Sequence, residues 1–177
     1  MAEAAAIRRG QEIKYNVGIV TIKHSFAYGS EGGSFSKERE LEVVIKLPGS
    51  RSCKAKFCYD SHNMTEDDIA MSMAGSLWEI FEQRQFTPSW ILRGCIGFSK
   101  HLTKRMGLIF MDTLVRGLSG TKDVQYESEV EEVENLTESL RYLGIGPKLM
   151  TQAIVSSNGF ESEKVSKIVE KCYEKLQ

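Results

Sequence analysis

The sequence brings three soft metal ligands, Cys53, Cys58 and His62, close together along the chain. Thiolate sulfur and imidazole nitrogen are groups that bind zinc in proteins, usually four to a structural site. The alternation around the cysteines predicts a strand, and their odd separation places them on opposite faces of it. Since no fourth ligand stands in a suitable position, we expect no metal site and no other cofactor.

Each residue that could serve acid–base or nucleophilic catalysis lacks a catalytic partner in the sequence. His24, His62 and His101 each lack a serine or cysteine in a recognisable nucleophile setting. The glycines of YGSEGGS lack the Lys-Ser/Thr pair that follows in a phosphate-binding loop. Asp112, in the apolar segment GLIFMDTLV, has no second carboxylate beside it, and is interpreted as an edge-strand guard or a buried salt-bridge partner. These observations predict a protein that is not an enzyme.

Basic residues form two candidate binding surfaces. In the segment KHLTKR, the side chains of Lys100, Lys104 and Arg105 place three permanent positive charges around one leucine, which suits lipid headgroups or a phosphate backbone. Lys54 and Lys56 form a second basic face on a predicted strand. The alternative for both is that lysines keep strand edges soluble.

Charge is divided unevenly along the chain, although the net charge is only -1. Residues 1–122 hold 17 basic and 13 acidic residues, whereas residues 123–177 hold 6 and 11. The segment DVQYESEVEEVENLTE contains seven acidic residues and no basic one. This division predicts either a surface that meets the basic part of a neighbouring copy or an ordinary exposed helix face.

The elements that must position these groups begin with strands. Residues 1–12 lack a sustained period and are expected to form a flexible arm. Apolar alternation then predicts strands in KYNVGIVTIKHSF, ELEVVIK and CKAKFCY, the last two as a hairpin. A loop rich in glycine and serine precedes the hairpin and holds an exposed Phe35.

Further apolar segments complete the predicted fold. SWILRGCIGF and GLIFMDTLV predict an antiparallel pair of strands, and the spacing beyond residue 123 predicts three helices, with Gly144 ending the first and Pro147 opening the second. The result is an α+β fold in which one mainly antiparallel sheet of about five strands packs with a central helix and C-terminal helices. Residues 13–177 are expected to form a single globular domain with an acidic helical C-terminal portion, residues 123–177.

The central helix is predicted from a capping box at Thr65 and Asp68 and runs to about residue 85. Its apolar side chains sweep roughly 200° of the circumference in DDIAMSMAGSLWEIF, against somewhat over 100° for a helix on one core. The side with Met71, Ala74 and Trp78 therefore needs a second cover, which is either the C-terminal helices or another molecule. Phe35, Met71 and Trp78 are accordingly the candidate self-association residues.

The order of these elements resembles that of rhabdovirus matrix proteins: a flexible arm, the pair ELEVVIK and CKAKFCY, the helix DDIAMSMAGSLWEIF and a strand of the type SWILRGCIGFSK. The size of the chain is similar to that of plant-infecting, cytorhabdovirus-like members. The resemblance covers residues 40–102. It implies a structural protein of the virion and host cytoplasm that self-associates, condenses the nucleocapsid and links it to internal membranes and the viral glycoprotein. Lys54, Lys56, Lys100, Lys104 and Arg105 would then contact nucleocapsid or anionic lipid.

Two other interpretations stay open. The basic hairpin face, with Tyr28 or Tyr59 to stack on bases, would suit an RNA-binding viral accessory protein such as a suppressor of RNA silencing. The other is a protein-interaction module of the cytosol.

Overall fold

A computed structural model describes residues 13–17, 20–29, 36–46, 52–60, 65–84 and 88–175 of the chain. Its first part pairs four antiparallel strands in chain order, β1 (Ile13–Val17), β2 (Val20–Gly29), β3 (Ser36–Lys46) and β4 (Ser52–Asp60). The predicted flexible arm, residues 1–12, lies outside the described residues.

Six helices follow the strands. They are α1 (Glu66–Arg84), α2 (Pro88–Ser99), α3 (Lys104–Ser119), α4 (Glu129–Arg141), α5 (Pro147–Asn158) and α6 (Ser162–Glu174). α3 lies at the centre of the packing, since it contacts α1, α2, α4 and α5. The helical body is therefore arranged around α3.

The start of α1 confirms the predicted capping box. The Asp68 backbone N–H donates to the Thr65 hydroxyl at 3.2 Å, and the Thr65 backbone N–H donates to the Asp68 carboxylate at 3.3 Å. Both bonds occupy donors that the first turn of a helix otherwise leaves without a partner. The helix then ends at Arg84, close to the predicted end.

The helices beyond residue 123 also confirm their predictions. Gly144 adopts a left-handed conformation with φ 76° after α4, and Pro147 occupies the first turn of α5. Val165 and Val169 of α6 are buried, as its apolar spacing requires. Val130, by contrast, belongs to the apolar stripe that the spacing of α4 predicts, yet it is 50% exposed.

The predicted fold class is wrong. From residue 65 onward the described structure consists of six helices and their connections, and this helical body contradicts an α+β fold built on a five-stranded sheet. The segments SWILRGCIGF and GLIFMDTLV are the helices α2 and α3, and the buried apolar residues that the structure describes all lie between Ile69 and Val169. The described core is thus formed by helices and their connections.

Burial on several sides explains why α2 was misread. Ile91, Leu92, Cys95, Ile96 and Phe98 are all buried, so the helix has no broad polar face to reveal its period. The Phe98 ring meets Phe110 of α3 edge to face, with ring centroids 5.5 Å apart. α2 is accordingly an internal helix that packs directly on the central one.

Candidate functional site

A groove of about 420 Å³ runs between α2 and α5 and reaches the start of α6. Arg93 and Gly97 of α2 line it together with Lys100, the residue directly after the last residue of α2. Their spacing of four and three residues continues one helix face. α5 contributes Gln152 and Ser156, again four residues apart. Ser162, the first residue of α6, closes one part of the wall.

Both charged side chains in the groove wall are positive. Arg93 and Lys100 are exposed, and neither side chain forms an ion pair or hydrogen bond with any residue in the described parts of the chain. Two other arginines of the helical body have carboxylate partners: Arg105 bonds to Asp67, and Arg116 to Asp112. The groove therefore presents one guanidinium and one ammonium group whose charges are not neutralised within the described structure.

Neutral donors stand opposite these cations. The Gln152 amide and the hydroxyls of Ser156 and Ser162 border the groove. α6 begins there without a side-chain cap, so its first backbone N–H groups and the positive end of its dipole add to the field. Glu161, the residue before α6, is held by Lys164 at 4.0 Å. Such a set of groups can hold an anion with several oxygen acceptors.

The structure separates the three cations that the sequence grouped around Leu102. Lys100 lies in the groove, whereas Lys104 and Arg105 are in the first turn of α3. The Arg105 guanidinium donates to both oxygens of Asp67, at 2.8 and 2.9 Å, and this hydrogen bonding lowers the pKa of the Asp67 carboxyl. Arg105 thus fastens α3 to α1, and its charge is largely offset.

The other predicted basic face lies on β4. In the strand register Lys54 is opposite Val44, and Lys56 is opposite Glu42. Their side chains lie outside what the structure describes, so their distance from the groove stays a matter for prediction.

The predicted self-association residues have different surroundings. Phe35 is outside the described residues. Trp78 is half-buried, with its ring 3.6 Å from the position that a Cβ on Gly117 of α3 would occupy, and Ala74 is fully buried. Met71 is 47% exposed. The wide apolar arc of α1 is therefore covered in large part by α3, and Met71 is more exposed than Ala74 and Trp78.

A second cluster, which the sequence did not reveal, surrounds Arg116 of α3. Its guanidinium donates to Asp112 at 3.0 Å, to Glu132 of α4 at 3.1 Å, and to the backbone carbonyl of Val124 at 2.8 Å. Asp112 is thus a salt-bridge partner on a helix, and the edge-strand alternative is wrong. These bonds tie the connection after α3 to α4, so we assign the cluster a structural role.

Burial changes the acidity of one member of this cluster. It raises the pKa of the Glu132 carboxyl above its ordinary value, and the Arg116 charge counteracts part of that rise. The side chain of Glu132 is only 14% exposed. The carboxylate consequently depends on Arg116 to remain ionised at little cost.

The sequence contained one signal for the groove. Arg93, Ile96, Gly97 and Lys100 follow the spacing of a helix face, but the apolar run around them favoured a strand. Gln152 and Ser156 carry no signal of their own, because only the tertiary structure brings α5 against α2. The groove could therefore not be assembled from the sequence alone.

Comparison of the chain with known proteins found no match. No family model, no curated protein and no solved structure matches the chain. In the described parts of the chain, no three His, Cys, Asp or Glu side chains come together as metal ligands. None of the helices that the structure describes is both long and apolar enough to cross a membrane.

Proposed function

We propose that this chain is a non-enzymatic structural protein that self-associates and holds the phosphate backbone of nucleic acid in the groove between α2 and α5. The observation that carries the proposal is the pair Arg93 and Lys100, which lack carboxylate partners among the residues the structure describes. The role fits the nucleocapsid contact implied by the resemblance to rhabdovirus matrix proteins. One component of that resemblance, the strand SWILRGCIGFSK, is helical, so the proposal rests chiefly on the groove.

The spacing of the two cations favours a polyanion over a small anion. Seven residues along a helix separate their Cα atoms by about 10 Å. Two groups that far apart readily contact different phosphates of one chain, whereas a single small anion would neutralise them together only if both side chains bent toward each other. Nucleic acid presents a regular row of such charges and releases counterions when cations bind it.

The membrane and glycoprotein roles rest on the resemblance alone. Lys104, exposed at the start of α3, is, like Lys100, a predicted lipid contact whose charge has no partner within the described residues. A membrane role would require this lysine to meet anionic headgroups together with other basic residues.

The groove is tested by binding of a fluorescein-labelled single-stranded RNA, followed by anisotropy. Arg93→Glu and Lys100→Glu should each weaken binding at least tenfold and should reduce the slope of log affinity against log salt, since each removes a phosphate contact. Lys122→Glu provides a matched control, because Lys122 is an exposed lysine on the connection after α3. It should change affinity less than twofold.

Equal weakening of RNA binding by all three substitutions would show that net charge alone governs the affinity, and would contradict the proposal that RNA binds in the groove. Failure of the unaltered protein to bind RNA at low salt would contradict the proposed nucleic-acid role as a whole.

A further inference from the structure

Two solvent-facing stripes of matching spacing lie on α4 and α6. The acidic stripe consists of Glu134, Glu138 and Tyr142, and the basic stripe consists of Lys167, Lys171 and Lys175. Residues four apart on a helix lie above one another, so each set of three forms a continuous row. All six residues are exposed, and Tyr142 is 80% exposed.

Each stripe faces away from the core. In α4, Val133, Leu136 and Leu140 are buried, and in α6, Val165 and Val169 are buried. At about 100° per residue, both stripes centre on the side of the helix opposite these residues. The rows are therefore available to another molecule.

The two stripes are neighbours in the molecule. α4 contacts α6 directly. Cys172 of α6 lies close enough to Glu134 and Glu138 for their charges to raise the pKa of its thiol, in addition to the larger effect of burial. An acidic row and a basic row thus run side by side on one surface.

Neither row is neutralised by another residue that the structure describes. None of Glu134, Glu138, Lys167, Lys171 and Lys175 forms an ion pair within the described residues. The ion pair that the structure shows at the start of α6 joins Lys164 to Glu161 instead. The charges are left to meet a complementary surface.

We propose that this surface docks on the same surface of a second copy, so that α4 of each copy lies against α6 of the other. In a two-fold dimer, residue i contacts residue j and j contacts i, so an acidic row beside a basic row is complementary to itself. Charge complementarity of this kind fixes orientation and accelerates encounter. The inference rests on the self-association in the proposed function and uses none of the groove residues.

Tyr142 supplies the apolar anchor of the interface. Its ring continues the acidic row by one turn, and the Arg141 guanidinium lies 5.1 Å from the ring centroid. Exposed aromatic side chains that become buried on association contribute disproportionately to affinity. A lysine of the partner's α6 could also lie over this ring.

The test uses two charge-reversed chains. Glu134→Lys with Glu138→Lys makes both rows basic, and Lys167→Glu with Lys171→Glu makes both rows acidic. By size exclusion with light scattering at low salt, the unaltered protein should be a dimer and each double variant a monomer, with a dimer Kd raised at least tenfold. Mixed in equal amounts, the two variants should form a heterodimer, because each row then meets its opposite.

Lys122→Glu with Lys148→Glu is the matched control, since both lysines are exposed and lie outside the two rows; it should leave the dimer intact. Tyr142→Ala should raise the dimer Kd without a change in charge. A monomer at every concentration of unaltered protein, or no heterodimer in the mixture, would overturn the inference. Arg93→Glu separates the two proposals, since it should lose RNA affinity and still dimerise.

Discussion

Gly107, in the first turns of α3, has no side chain, and this allows α3 to approach the end of α2 closely. A Cβ there would lie 2.8 Å from the Ser99 carbonyl oxygen, a backbone atom that cannot move alone. We expect Gly107→Ala to destabilise the protein by about 1–3 kcal/mol in urea unfolding, because the end of α2 must shift. Gly75→Ala is the matched control, since a Cβ at Gly75 of α1 meets nothing within 4 Å. It should instead stabilise by roughly 0.5–1 kcal/mol.

Arg116 is the residue whose loss should have a pH signature. Arg116→Met removes the cation beside the half-buried Glu132, whose pKa is already raised by partial burial, and so raises that pKa further. A raised folded-state pKa of an acid costs stability once pH rises through it, because the carboxylate must then ionise in a poor environment. We expect a loss of about 1–2 kcal/mol at neutral pH, below the range for fully buried pairs.

The loss should shrink as the pH falls through the folded-state pKa of Glu132, because the carboxyl is then protonated, and urea unfolding at neutral and at acidic pH measures the difference. Arg105→Met removes an exposed ion pair and should cost less stability at neutral pH than Arg116→Met does. A loss for Arg116→Met that stays constant or grows on acidification would contradict the assigned role of Glu132.

Among the elements, α3 offers a measurement of how much one N-terminal cap contributes to the unfolding free energy. The Thr103 hydroxyl accepts a hydrogen bond from the Met106 backbone N–H at 3.2 Å. Thr103→Ala should cost about 1 kcal/mol of unfolding free energy, whereas Thr103→Ser keeps the acceptor and should cost only a few tenths. Equal costs for both substitutions would show that the Thr103 methyl group, rather than the hydroxyl, is what matters.

The elements also show what the sequence could predict. α1 and the last three helices carry local signals, such as the Thr65 cap, Gly144 and Pro147, and were predicted close to their observed bounds. The sequence predicts strands for α2 and α3, because short apolar runs with Ile, Val and Gly do not distinguish a buried helix from a buried strand. That error hid Arg93 and Lys100 as members of one helix face, and with them the groove.

At the scale of the whole molecule, Cys95 reports on the integrity of the helical core. Its side chain is 1% exposed on α2, and burial raises the pKa of its thiol, so it cannot react as thiolate without opening of the body. In a chain with Ser at the other three cysteine positions, we expect Cys95 to be labelled by a thiol reagent only at the rate of global unfolding. Rapid labelling under native conditions would contradict the packing of α2.

The position of α6 in the chain has a consequence for biosynthesis. α6 supplies Val165 and Val169 to the core and also carries the lysine row. Because a ribosome makes the chain from its N-terminus at roughly 5–20 residues per second, α1 to α5 exist before this helix does. A nascent chain therefore presents an acidic α4 without its basic neighbour, and such a surface repels other nascent copies on the same messenger. The order of synthesis itself would delay pairing until the helical body can close.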